Sequence, residues 1–130
     1  MRICFTGSRH WTDYEAVRAR LAELKEEFGD SLEVAHGKSP GKGADWHVEL
    51  AALSLGITQT PFPIRGGPTG VDGPNPYVAP LNRNRRMLLT FMPHVLIAFR
   101  SPGKSNGTDY TIKQAEMMDI EVETIHEERT

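Results

Sequence analysis

Five short apolar runs alternate along the chain with four stretches that carry apolar residues on one helical face. The first run, residues 2–6, is continuous rather than alternating, which predicts a strand buried on both sides. Thr12 with Glu15 three positions later has the form of a capping box and opens a predicted helix. Val17, Leu21, Leu24 and Phe28 mark its buried face, and Gly29 stops it. Residues 32–35 read as the second strand, and residues 36–43 as a glycine-rich loop. A second helix covers 44–55 and ends at Gly56. The third strand, 57–64, contains Pro61 and Pro63, which cannot donate to a ladder and confine it to an edge. Residues 65–80 hold four glycines and four prolines and predict neither helix nor central strand. A third helix at 81–91 stops before Pro93. Residues 95–99 form another continuous apolar strand, and 100–106 a further loop. The last helix starts near Gly107 and Thr108 with Ile112, Ala115 and Met118 on one face, and a strand at 121–125 leads into an acidic tail.

Strands alternating with helices predict an α/β fold with a mostly parallel sheet covered on both faces. Right-handed crossovers leave few arrangements, and the strand order 3-2-1-4-5 of a Rossmann-like sheet is the expectation. No internal repeat or linker divides the chain, so residues 1–130 are expected to form a single Rossmann-like domain.

Composition narrows the function. A formal charge of -2 argues against a protein that coats polyanions. No apolar run approaches the ~20 residues that cross a bilayer, and the N-terminus lacks the pattern of a signal peptide. The one cysteine, Cys4, falls within the first strand and reads as a small core residue. A reducing, cytoplasmic setting is expected. His36 and His47 lie eleven positions apart with no Cys or carboxylate at ligand spacing, so no metal site and no cofactor are expected.

Loops that leave the strands at their carboxyl ends share one edge of such a sheet, where ligands of open α/β folds bind. In this chain those loops carry Arg9 and His10, Lys38 and Lys42, Arg65, and Arg100 and Lys104, with Arg83, Arg85 and Arg86 at the following helix. The opposite edge offers Asp30, Pro93 and Asp119. Cations placed beside glycines predict a small anionic ligand, phosphate first among them. Gly7, Ser8 and Arg9, directly after the first strand, have the form of a phosphate loop at a helix start. Trp11 and Trp46 follow two of the loops and are suited either to stacking on a base or to packing on the sheet.

Gly7-Ser8-Arg9 with Asp13, His36-Gly37 with Gly43-Ala44-Asp45, Arg83-Asn84 with Met87, and Ser101 with Gly107-Thr108 resemble the YspA-like, YpsA-related branch of the SLOG superfamily. That superfamily takes in the DNA-processing protein DprA and the LOG cytokinin-activating hydrolases. The resemblance implies a Rossmann-like fold that binds nucleotides or nucleotide-derived ligands, with a homo-oligomer as the expected assembly. It also implies that Gly7, Ser8, Arg9, Gly43, Asp45, Arg83, Asn84, Ser101, Gly107 and Thr108 surround the ligand. Arg9 and Arg83 are expected to bind it at little cost to the fold when removed.

LOG enzymes carry acidic residues two and three positions after the matching threonine, and here those positions are Tyr110 and Thr111. Asp45 and Asp109 are the candidates for any catalytic carboxylate. The expectation is therefore a binding or sensing module for a phosphate-containing, ADP-ribose-like ligand. The alternative is a hydrolase that cleaves an N-glycosidic or phosphoester bond of such a ligand. Single-stranded DNA binding in the manner of DprA is disfavoured by the net charge and by the lack of a basic stripe interleaved with aromatics.

Overall fold

The computed structural model describes residues 1–39 and 41–128. The elements follow in the order β1 (Arg2–Gly7), α1 (Tyr14–Phe28), a 3-10 turn (Gly29–Ser31), β2 (Glu33–His36), α2 (Gly43–Leu55), β3 (Thr58–Pro61), α3 (Ala79–Phe91), β4 (Val95–Arg100), α4 (Asn106–Met117) and β5 (Glu121–His126). The five strands form one sheet in the order β3-β2-β1-β4-β5, and every pairing is parallel. This is the Rossmann-like arrangement that the alternating pattern predicts.

Successive side chains of a strand point to opposite faces, and the core divides accordingly. Ile3, Phe5, Val34, Ile97 and Phe99 pack beneath α1 and α2 with Val17, Leu21, Val48 and Ala51. Cys4, Ala35 and Leu96 pack on the other face with Phe62, Met87, Leu88 and Ala115, beneath α3 and α4. Strands covered on both faces have no polar side to show, hence the unbroken apolar run of β1. Cys4 is fully buried there, and burial pushes its thiol well above the ordinary range, with the charge of Asp45 adding to the shift.

Three details differ from the sequence pattern. Asp13, not Thr12, caps α1: its carboxylate accepts from the Ala16 amide at 3.0 Å. Thr12 instead donates, through its amide and its hydroxyl, to Glu127. The third strand shrinks to four residues at the sheet edge, because the prolines end the ladder early. Finally, Ala79 and Pro80 belong to α3, since proline fits a first helical turn where its missing N–H is not needed.

The rest of the 65–78 segment is tied to the body by one buried carboxylate. Asp72 accepts from the Arg65 amide at 2.7 Å and from both Nε and Nη2 of Arg86 at 2.9 Å. Arg86 also donates to the Pro63 carbonyl and lies over the Phe62 ring. The Arg86 guanidinium holds the Asp72 carboxyl below the usual carboxylate range, against the opposing effect of burial. A carboxyl with a lowered folded-state value stabilises the fold above its unfolded value, about 3.9, and loses that contribution as pH falls through the lower value. Pepsin cutting within 65–78 should therefore begin only under strongly acid conditions, and Arg86→Ala should move its onset to higher pH. Peptide mapping checks this; cutting insensitive to both pH and Arg86 would remove the anchoring role.

Candidate anion-binding cleft

All four strand-to-helix connections emerge at the carboxyl edge of the parallel sheet. Ser8 organises the first of them. Its amide donates to the Phe99 carbonyl at 2.9 Å, its carbonyl accepts from the amides of Trp11 and Ala44, and its Oγ accepts from the His10 amide. The turn after β1 is thus locked to β4 on one side and to the start of α2 on the other. Gly7 allows this closeness: a Cβ there would stand 2.4 Å from the Ala44 Cβ and 2.6 Å from the Phe99 carbonyl oxygen. Gly43, at φ +85°, faces the Arg9 backbone in the same seam.

Most of the amides around the start of α1 are spent internally, with that of Tyr14 donated to the Thr12 carbonyl. Asp13 takes that of Ala16, and Glu127 Oε2 takes those of Thr12 and Asp13 at 2.8 and 3.1 Å. Glu127 Oε1 accepts from the Ser101 hydroxyl at 3.0 Å. Glu127 arrives from the tail after β5, and the sequence offers no sign of its reach beyond an acidic residue near the end. Trp11 is buried against Phe99 and donates its indole N–H to the Asp13 carbonyl, so it packs the loop and presents no face to a ligand.

At the start of α2 the Ala44 amide is held by the Ser8 carbonyl, and the N-cap, Lys42, makes no side-chain capping bond. In front of it lies a cleft of about 290 Å³ lined by Arg9, Lys38, Ser39, Lys42, Ile64 and Arg83. Four cationic side chains therefore meet beside a helix N-terminus, whose dipole also favours negative charge. Lys38 has an ion-pair partner in Glu49; Arg9 is exposed.

Arg83 reaches the cleft from α3 and is buried on the way. Its Nη1 donates to the carbonyls of Gly37 and Phe62, joining the ends of β2 and β3, and its Nε donates to Asn84 Oδ1 at 2.7 Å. Asn84 passes the connection to Thr111 Oγ1 at 2.9 Å, and Thr111 donates to the Gly107 carbonyl in α4. Desolvation pulls the Arg83 pKa below its ordinary value; the charges of Asp45 and Asp72 oppose this, while Arg86 and Arg9 add to it. Arg83 is thus a built-in part of the fold as well as a wall of the cleft, and these contacts speak against the expectation that its loss costs the fold little.

Of the residues singled out from sequence, Arg9 and Arg83 line the cleft, and Gly7, Ser8 and Gly43 shape the seam behind Arg9. Asp45 sits in the first turn of α2, half-buried, with Oδ1 of its carboxylate out of solvent. Burial raises its pKa, against the pull of Arg83, of His36, and of hydrogen bonds from Gly37 and Ser39. Asn84 is turned toward Thr111. Ser101 is engaged with Glu127, and Gly107 and Thr108 stand at the start of α4, outside the cleft lining. Asp109 forms an ion pair with Arg100 at 2.9 Å, and the guanidinium holds its carboxyl below the usual range. Lys38, Ser39, Lys42 and Ile64 complete the cleft; the lysines announce themselves as loop cations, whereas Ser39 and Ile64 carry no distinguishing signal. Among the described residues no group of three or more His, Cys, Asp or Glu is placed to hold a metal. No helix among them is long and apolar enough to cross a membrane.

The model of the YspA, cpYpsA-related SLOG family matches residues 1–65, the half of the chain that holds β1, the seam and the start of α2. The chain belongs to that family. Its SLOG fold is similar to two solved structures at 14% identity each. DNA processing protein A (DprA) from Streptococcus pneumoniae superposes with a TM-score of 0.56 over 93% of this chain and 57% of that one. Pantoate-beta-alanine ligase from Francisella tularensis, complexed with beta-gamma ATP and beta-alanine, superposes with a TM-score of 0.53 over 99% of this chain and 60% of that one. The chain thus spans less than two thirds of either neighbour, and at this identity the likeness is one of fold. No curated protein matches the sequence.

Proposed function

We propose that this SLOG protein binds a phosphate-bearing nucleotide or nucleotide derivative in the cleft before α2, as a binding or sensing module. The observation that carries the reading is the convergence of Arg9, Lys38, Lys42 and Arg83 on one cleft of about 290 Å³. Like charges gathered at close quarters repel one another, and an anion relieves that cost. Membership of a family associated with nucleotides agrees with this chemistry. The anion site is centred on the start of α2, with Arg9 contributed by the turn after β1. Gly107 and Thr108 lie at the start of α4, after β4 and beyond the β1 turn, where the remainder of an extended ligand would be held.

The binding reading stands ahead of hydrolysis for a specific reason. General acid catalysis needs a group that still carries a proton near neutral pH. Asp109, held ionised by Arg100, is poorly suited to that task, and Asp45, whose burial does favour the proton, is not among the residues that line the cleft. Native mass spectrometry of protein purified under gentle conditions should reveal a retained nucleotide-type ligand, and Lys42→Ala together with Arg9→Ala should release it. Retention undiminished by the double substitution would place the ligand elsewhere. Release of free base or phosphate from a nucleotide panel, abolished by Asp45→Asn, would favour the hydrolase.

A further inference from the structure

Two side-chain atoms among the described residues are buried with no hydrogen-bond partner, Asp45 Oδ1 and His47 Nδ1, both early in α2. His47 bonds the Trp11 carbonyl through Nε2 at 3.2 Å and packs on Tyr14, and a neutral imidazole tolerates one unpaired acceptor at modest cost. A carboxylate does not, because burying a charge with an open lone pair costs far more than burying a neutral group.

Three strands and helices bring titratable or charged groups against Asp45: Arg83 from α3, His36 from β2 and Cys4 from β1. Arg83 is its counter-charge, yet Gly37 lies between the two. A Cβ at Gly37 would stand 2.7 Å from Asp45 Oδ2 and 2.7 Å from Arg83 Cζ. The same Arg83 lines the cleft, and Ser39, which also lines it, adds to the pull that favours the Asp45 carboxylate. One guanidinium therefore faces a buried carboxylate on one side and the anion cleft on the other.

We propose that an anion entering the cleft is bound together with a proton, which Asp45 takes from solvent. The inference rests on the reading of the cleft as an anion site. A dianion beside Arg83 competes for the positive charge that favours the ionised form of Asp45, and two negative charges then share one cation. A dianion such as sulfate has no hydrogen to donate, so it cannot satisfy Oδ1, which is buried with no hydrogen-bond partner. Protonating the carboxyl removes both the repulsion and the orphaned charge. Burial acts in the same direction, since it disfavours the charged form of Asp45.

Linkage makes the effect measurable: if anion binding drives proton uptake, lower pH must strengthen anion binding. Inorganic sulfate is the probe, since it does not itself titrate near neutrality. Calorimetry in buffers of different ionisation heat, from about pH 5 to 9, should show wild type taking up as much as one proton per sulfate. Asp45→Asn should bind sulfate without uptake and roughly tenfold more tightly, because the competing charge is gone. The carbon-13 shift of the Asp45 carboxyl, read in wild type with and without sulfate, reports the protonation without any variant. Sulfate binding with no buffer dependence, or uptake that persists in Asp45→Asn and so belongs to another group, overturns the coupling and leaves the anion site standing. Wild type that binds no sulfate overturns both.

Discussion

Gly7→Ala should cost about 3 kcal/mol or more, because the added methyl meets close-packed atoms on both sides. The Cβ would lie 2.4 Å from that of Ala44 and 2.6 Å from the Phe99 carbonyl oxygen, and neither can move alone. Ala44 is fixed by the bond from its amide to the Ser8 carbonyl, and Phe99 by the Ser8 amide and by the ladder between β1 and β4. A clash with backbone cannot be relieved by changing a rotamer, so β1, β4 and α2 must separate together. Gly107→Ala is the matched comparison. It stands in α4 with nothing within 4 Å of the added Cβ, and alanine there should be neutral or stabilising by up to about 1 kcal/mol. Chemical denaturation of the two variants checks the contrast. Equal stability would mean that the seam between the first turn and α2 is looser than described.

The seam also explains what was legible in the sequence and what was not. Strand order, parallel pairing and the two-sided core follow from local signals, since the apolar runs and the helical face of Val17, Leu21 and Leu24 are each written within a few residues. Arg9 was visible for the same reason, as a cation beside a glycine after a strand. The roles of Arg83 and Glu127 depend on contacts across 46 and 115 positions of chain, Gly37 for one and Thr12 for the other. No local pattern encodes such distances. Thr12 illustrates the consequence: its capping-box spacing was sound, but a carboxylate from the far end of the chain claimed its amide and hydroxyl, leaving the cap to Asp13. Asp72 is a further case. Within a segment rich in glycine and proline it looks like a turn residue, and only the arrival of Arg86 turns it into an anchor.

Arg9→Ala and Arg83→Ala should separate binding from folding. Arg9 is exposed at the cleft, so its loss should weaken anion binding by ~1.5–3 kcal/mol, the range for charged hydrogen bonds, with the melting temperature unchanged. Arg83→Ala should lose comparable affinity and, in addition, about 3 kcal/mol of stability. It strands the Gly37 and Phe62 carbonyls at the ends of β2 and β3, breaks the path through Asn84 to Thr111, and leaves Asp45 without its main counter-charge. Arg83→Lys tests the division further. Lysine keeps the charge but lacks the planar fork that serves carbonyls and Asn84 at once, so stability should remain low while much of the affinity returns. The missing counter-charge also has a pH signature. With Arg83 replaced by Ala, the Asp45 carboxyl should rise further above its ordinary value. A group with a raised folded-state pKa contributes stability below its unfolded value and loses it as pH rises. The destabilisation of Arg83→Ala should therefore grow from acid toward neutral pH, and adding Asp45→Asn should flatten that dependence. A penalty for Arg83→Ala that is independent of pH, or unaffected by Asp45→Asn, would mean that the two groups act separately and that Gly37 insulates them.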